Sequence, residues 1–126
     1  MQWNNKYIYP KSTRSIVDGS RHYAVNEERL PSVTTILKAT ESEEKKASLQ
    51  AWKQRVGQKQ AEIITREASS RGSSMHEYLE KFLLGKLNLD LLGDNTKERM
   101  MADQIIDNGL RNKLDEIWGC EATLYY

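Results

Sequence analysis

The sequence predicts a mixed α/β chain, with a block of helices framed by strand material at each end. Three observations carry this. Residues Arg21-His22-Tyr23-Ala24-Val25 and Cys120-Glu121-Ala122-Thr123-Leu124-Tyr125 alternate, as half-buried strands do. Between them, apolar residues fall at helical spacing: Leu49, Trp52 and Val56, then Met75, Tyr78, Leu79 and Phe82. Glycines, prolines and capping residues fall at the joints.

The elements follow in order. Tyr7-Ile8-Tyr9 reads as a short strand ended by Pro10, and Asp18-Gly19 as a turn. The strand at 21–25 is followed by Asn26-Glu27-Glu28-Arg29, which turns the chain into a small hairpin. Leu30-Pro31-Ser32-Val33-Thr34-Thr35-Ile36-Leu37 carries β-branched residues that suit a strand. Ser32 after Pro31 also suits the N-cap of a short helix, and the helix is the preferred reading. The charged run Glu41–Lys46 opens a second helix bearing Leu49, Trp52 and Val56, which Gly57 ends or bends.

Ala61, Ile64 and Ala68 then continue a helical pattern, with Ile63 alongside. Ser69-Ser70-Arg71-Gly72 is expected to break it, and Ser74 with Glu77 forms the S-x-x-E of a capping box on a new helix. On that reading, removing the Ser74 hydroxyl costs about 1 kcal/mol of cap energy. Gly85 ends this helix. An apolar connector, Leu87 to Leu92, is closed by Gly93-Asp94-Asn95, and Asn95 or Thr96 caps a last helix. Met100, Ile105, Leu110, Leu114, Ile117 and Trp118 are expected on its buried side, with Gly109 a weak point and Gly119 its end.

The chain has 126 residues, enough for one domain. Hydrophobic residues make up 38% and charged residues 29%, so the core is sparse. The net charge of +1 gives no global signal for nucleic acid, and any such surface must be local. Cys120 is the only cysteine and cannot form an internal disulfide; no disulfide-linked partner is expected. No apolar run spans a membrane and no secretory h-region is present, so a soluble intracellular protein is the expectation.

The chemistry centres on Arg71-Gly72-Ser73-Ser74-Met75-His76-Glu77-Tyr78-Leu79-Glu80. On a helix, His76 and Glu80 stand one turn apart on one face, which can bring an imidazole and a carboxylate over one metal ion. The plain alternative is a helix histidine with no special role. The pattern is not that of a zinc protease, because Glu80 stands where a second histidine is required. One cysteine and two histidines are too few for a structural zinc site. Glu77 is occupied by the capping box. Cys120 reads as a packed thiol rather than a nucleophile, and the E-x-K triplets within Glu43-Glu44-Lys45-Lys46 read as a solvated helix face.

Lys53, Arg55, Lys59, Arg66 and Arg71 punctuate the middle helices beside Trp52. They form either a groove that tracks a phosphate backbone or an ordinary charged surface, since Glu62 and Glu67 intervene. Arg71, Gly72 and Ser73 are further candidates, because a glycine at a helix start lets a phosphate approach the backbone.

The order of these features resembles a known family. Leu30-Pro31-Ser32-Val33-Thr34-Thr35-Ile36-Leu37 is followed by Leu49-x-x-Trp52-x-x-x-Val56-Gly57-x-x-x-Ala61, then Gly72-x-x-x-His76-x-x-x-Glu80, then Ile117-x-x-x-Glu121-x-x-Leu124. From about Arg21 onward this is similar to the N-terminal part of PD-(D/E)XK nucleases of the RecB-like branch. Phage exonucleases similar to the mitochondrial genome maintenance exonuclease are the nearest in pattern. The resemblance implies a restriction-endonuclease-like α/β fold, of which residues 1–126 cover the N-terminal helical portion and the first core strand.

It also implies metal-dependent hydrolysis of DNA with Mg²⁺ or Mn²⁺. His76 would be a metal ligand, with Glu80 close to it. Glu121 would be the catalytic glutamate at the start of the sheet. Lys53, Lys59, Arg66, Arg71, Gly72 and Ser73 would lie along the DNA. The partner would be DNA, single-stranded or with a free end, in the cytoplasm of a phage-infected or bacterial host. The family's aspartate at a strand end, its (D/E)-x-K on the next strand and its Q-x-x-x-Y on a later helix are not found among these residues. The expectation is therefore an N-terminal portion, inert alone. The rival is a small helical module that binds nucleic acid or protein without catalysis, and a third reading is a plain structural helical domain.

Overall fold

The computed structural model describes residues 1–86 and 96–126. The connector at 87–92, the turn at 93–95 and the option of Asn95 as a cap lie outside the described residues. The described residues are mixed α/β, with helices and two small sheets. It divides into two compact units, one of Ile8–Gln58 with Ala122–Tyr126 and one of Met1–Tyr7 with Lys59–Glu121.

The first unit is built on an antiparallel three-stranded meander: β2 (Thr13–Val17), β3 (Ser20–Val25) and β4 (Glu28–Pro31). Both turns have two residues. Val17 pairs with Ser20 around Asp18-Gly19, and Val25 pairs with Glu28 around Asn26-Glu27. All four turn residues have positive φ, at 51°, 78°, 49° and 70°. That is the requirement of a type I′ hairpin, whose twist matches that of its strands. The expected turn at Asp18-Gly19 and the strand at 21–25 are both present. Tyr7–Tyr9 is not a strand; the partner of β3 on this side is Thr13–Val17.

Ser32 caps α1 (Val33–Ala39): its Oγ accepts from the Thr35 N–H at 3.1 Å. Its own N–H and the Thr35 hydroxyl both donate to the Arg21 carbonyl, at 3.0 Å each, which ties the helix start to β3. Ser42 caps α2 (Glu43–Val56) in the same way, accepting from Lys45 N–H at 3.2 Å. Glu43 and Glu44 in its first turn and Lys53 and Arg55 in its last complement the helix dipole. Gly57, at φ 91°, ends it. Val25 and Ser32 are the buried residues described in this unit.

Its C-terminal residues are not the strand that alternation suggests. Residues 122–126 are irregular, and Glu121 before them has φ 52°. Side chains hold them instead. The Ser12 and Thr123 hydroxyls are 2.9 Å apart, and Asn26 Nδ2 donates to the Tyr125 hydroxyl at 2.8 Å.

The second unit is dominated by α3 (Gln58–Leu83), 26 residues long and so about 39 Å from end to end. The break expected at Ser69–Gly72 is absent, and Gly72 sits mid-helix. One interior glycine costs only about 1 kcal/mol against alanine. The apolar positions 61, 64, 68, 75, 79 and 82 stay in phase across it, in steps of three, four and seven, so one stripe serves both halves. Ser74 and Glu77 are therefore interior residues and no capping box exists. Glu77 pairs instead with Lys81 at 2.8 Å, and that ammonium holds its carboxyl below the usual range. The helix stops as expected at Gly85, at φ 69°. Lys86 N–H reaches the Lys81 carbonyl and Gly85 N–H the Phe82 carbonyl, a Schellman motif.

Thr96 caps α4 (Lys97–Ile105), its Oγ1 accepting from Arg99 N–H at 3.3 Å. The helix runs into a π-helical segment, Ile106–Leu110, that contains Gly109. Helical structure ends there rather than at Gly119, and Asn112 follows at φ 61°. Glu116–Ile117 then forms β5, parallel to β1 (Gln2–Trp3), with Gln2 opposite Glu116 and Trp3 opposite Ile117. Ala61, Ala102, Ile106 and Ile117 form this unit's core. Met100, Ile105 and Trp118, expected inside, are exposed.

Candidate functional site

The second unit brings His76 and Glu121 together. His76 is on α3, whereas Glu121 follows β5 and does not lie in a strand. Its Oε1 is 3.9 Å from His76 Nδ1. That is an ion pair when the imidazole is protonated, and it is too long for a hydrogen bond. The side chains are 66% and 57% exposed, so the pair lies at the surface.

Glu80, one turn beyond His76, belongs to the same neighbourhood. Burial pushes the Cys120 thiol up, and the charges of Glu80 and Glu121 push it further. A thiol so placed keeps its proton, which suits packing and not nucleophilic attack. The expected helix start at Gly72 does not underlie this site, and His76 sits deep inside α3.

Among the described residues, no group of three or more His, Cys, Asp or Glu side chains is arranged to hold a metal ion. His22, the other histidine, lies on β3 in the other unit, its Nδ1 3.2 Å from the Ser20 carbonyl oxygen.

A second feature is an open depression of about 490 Å³ lined by Arg66, Glu67, Ser70 and Arg71 of α3 and by Lys97 and Glu98 of α4. Arg66 and Arg71 were expected to face a phosphate backbone. Lys97 joins them from the first turn of α4, and two carboxylates share the depression. Lys59 lies two turns before Arg66 on the same helix face. Ser73 is exposed on α3, one turn after Ser70, and Gly72 is half-buried. Lys53 belongs to α2, in the other unit.

A third feature was not expected. Trp118 and Tyr7, 47% and 48% exposed, meet edge to face, with ring centroids 5.7 Å apart and planes at 68°. The Lys6 ammonium lies 4.7 Å from the Trp118 centroid and 5.5 Å from that of Tyr7. Glu116 accepts hydrogen bonds from Trp118 Nε1 at 2.9 Å and from Asn4 Nδ2 at 3.3 Å, which hold its carboxyl below the usual range. Trp3 Nε1 donates to the Leu83 carbonyl at 2.8 Å, fastening the N-terminal segment to the end of α3.

Comparison with family models, curated proteins and solved structures finds no match to this chain. The described residues include no helix long and apolar enough to cross a membrane. Cys120 is a free cysteine.

Proposed function

We propose that this chain is the N-terminal portion of a metal-dependent DNA exonuclease of the PD-(D/E)XK type, with a restriction-endonuclease-like fold, working in a bacterial or phage-infected cytoplasm. One observation carries the reading. The resemblance assigns His76 and Glu121 to one catalytic centre, and these residues, far apart in sequence, stand 3.9 Å apart. The depression at Arg66, Arg71 and Lys97 supports DNA as the partner, because these cations can neutralise backbone phosphates. The described residues do not supply a full set of metal donors. On this reading the part of these residues is to present His76 and Glu121 and to hold the strand.

The exposure of the His76 and Glu121 side chains, as in an ordinary surface contact, also favours a second reading, a nucleic-acid-binding module without catalysis. That reading keeps the basic depression and gives the His76–Glu121 pair no role.

Paramagnetic Mn²⁺ separates the two. Millimolar Mn²⁺ should broaden the NMR signals of the His76 ring well before those of His22, because a carboxylate beside the imidazole makes a weak two-donor site. Glu121→Gln should abolish that selectivity. Equal broadening of both histidines, with salt-sensitive DNA binding intact, would leave the module reading.

A further inference from the structure

We propose that Trp118 and Tyr7 form a stacking platform for the bases of single-stranded DNA, with Lys6 as the ligand of an adjoining phosphate. The inference rests on the DNA reading above and adds a site to it. Three properties of the cluster point this way.

The first is exposure with order. Large aromatic rings half open to solvent present faces on which a base can stack. These rings are not loose. Glu116 fixes the indole edge of Trp118, Tyr7 packs against it, and the β1–β5 pairing fixes the backbone on which Trp118 follows Ile117. A platform held in advance loses little side-chain freedom when a base arrives.

The second is charge. Lys6 lies in front of both rings. A lysine stem has several rotatable bonds and its ammonium acts as a point charge. It can leave the ring faces for a phosphate oxygen as a base takes its place. Aromatic faces joined to a cation are how proteins grip single strands without reading sequence.

The third is position. Glu121 is the third residue after Trp118, a reach of about 11 Å at most. The platform therefore stands beside the His76–Glu121 pair, where it can seat the end of a strand next to the chemistry.

Fluorescence anisotropy provides the test, with two labelled probes of equal length: a thymidine homopolymer and the same backbone without bases. The unaltered chain should prefer the base-bearing strand. Trp118→Ala should weaken thymidine binding roughly 5- to 100-fold while leaving the abasic strand nearly unaffected. Trp118→Phe should recover much of the loss. Lys6→Ala should keep the base preference and reduce the salt slope of binding by about 0.7. Equal affinity of the unaltered chain for the two strands overturns the platform while the DNA reading stands. Failure to bind either strand overturns the DNA reading and the platform with it. Should Trp118→Ala unfold the protein, the abasic comparison on the unaltered chain still decides.

Discussion

In the unit of Ile8–Gln58 and Ala122–Tyr126, the strands and helices are set by neighbours in sequence, and distant contacts hold only the irregular C-terminal residues, through Ser12 and Asn26. Two-residue turns join the strands, and Ser32 and Ser42 start the helices three residues before the N–H groups they cap. In the unit of Met1–Tyr7 and Lys59–Glu121, distant segments meet. Trp3 reaches Leu83, Gln2 pairs with Glu116, and His76 faces Glu121. The first unit describes Val25 and Ser32 as buried; the second buries Ala61, Ala102, Ile106 and Ile117. Apart from Lys53 and Arg55 on α2, the candidate site residues lie in the second. Local signals build a frame cheaply, but gathering functional groups from far along the chain requires a core to hold them.

The largest effect that tests this contrast is expected in that core. Ile106 is 3% exposed. Ile106→Ala should cost about 2–5 kcal/mol, read from urea denaturation. Val25→Ala in the other unit removes two carbons and should cost about 1.5–2.5 kcal/mol. An equal or larger loss at Val25 would place the main core on the wrong side of the comparison.

Next in size is Gly72. Gly72→Pro in a continuous helix should cost about 3 kcal/mol or more. Gly72→Ala should stabilise by about 0.5–1 kcal/mol, because a Cβ there meets nothing within 4 Å and φ is not positive. A tolerated proline together with a harmful alanine would restore the break that the glycine suggests in the sequence.

Gly72 also shows why some elements were legible and others not. Asp18-Gly19, Ser32, Ser42, Thr96, Gly57 and Gly85 act through bonds within a few residues, so their roles can be read locally. At Gly72 the phase of the apolar stripe outweighs the propensity of one residue: 61, 64, 68, 75, 79 and 82 mark one helix. The β1–β5 pair has two residues on each side and joins opposite ends of the chain. Neither strand is long enough to show a period. Its alternation turns Ile117 inward and leaves Trp118 exposed, the reverse of what helical spacing suggested for Trp118. The residues of the candidate site were individually visible, His76 by its spacing and Glu121 by the resemblance. Their meeting depends on the route taken by residues 111–121, which no local pattern records.

A smaller effect separates a real cap from an apparent one. Ser32→Ala should lose about 1 kcal/mol, since its hydroxyl oxygen satisfies a helix-start N–H. Ser74→Ala lies inside α3, where alanine is the better helix former by a few tenths of a kcal/mol. It should be neutral or slightly stabilising in the same denaturation assay. A loss at Ser74 matching that at Ser32 would mean that α3 behaves as two helices in solution.

The smallest effect is a shift in the reactivity of Cys120. Burial first, and then the Glu80 and Glu121 charges, raise the proton affinity of its thiol in the folded chain. The thiolate is the form that alkylates. The pH profile of iodoacetamide labelling should therefore lie at higher pH in native buffer than in denaturant. The linkage has a definite sign. Above the ordinary thiol range the folded state binds more protons than the unfolded one, so this group makes stability fall as pH rises. Below that range the thiol is protonated in both states and contributes no slope. Glu121→Gln should move the native profile only part of the way back, because burial is the larger cause and remains. A native profile at or below the denatured one would show that the carboxylates do not gather around Cys120.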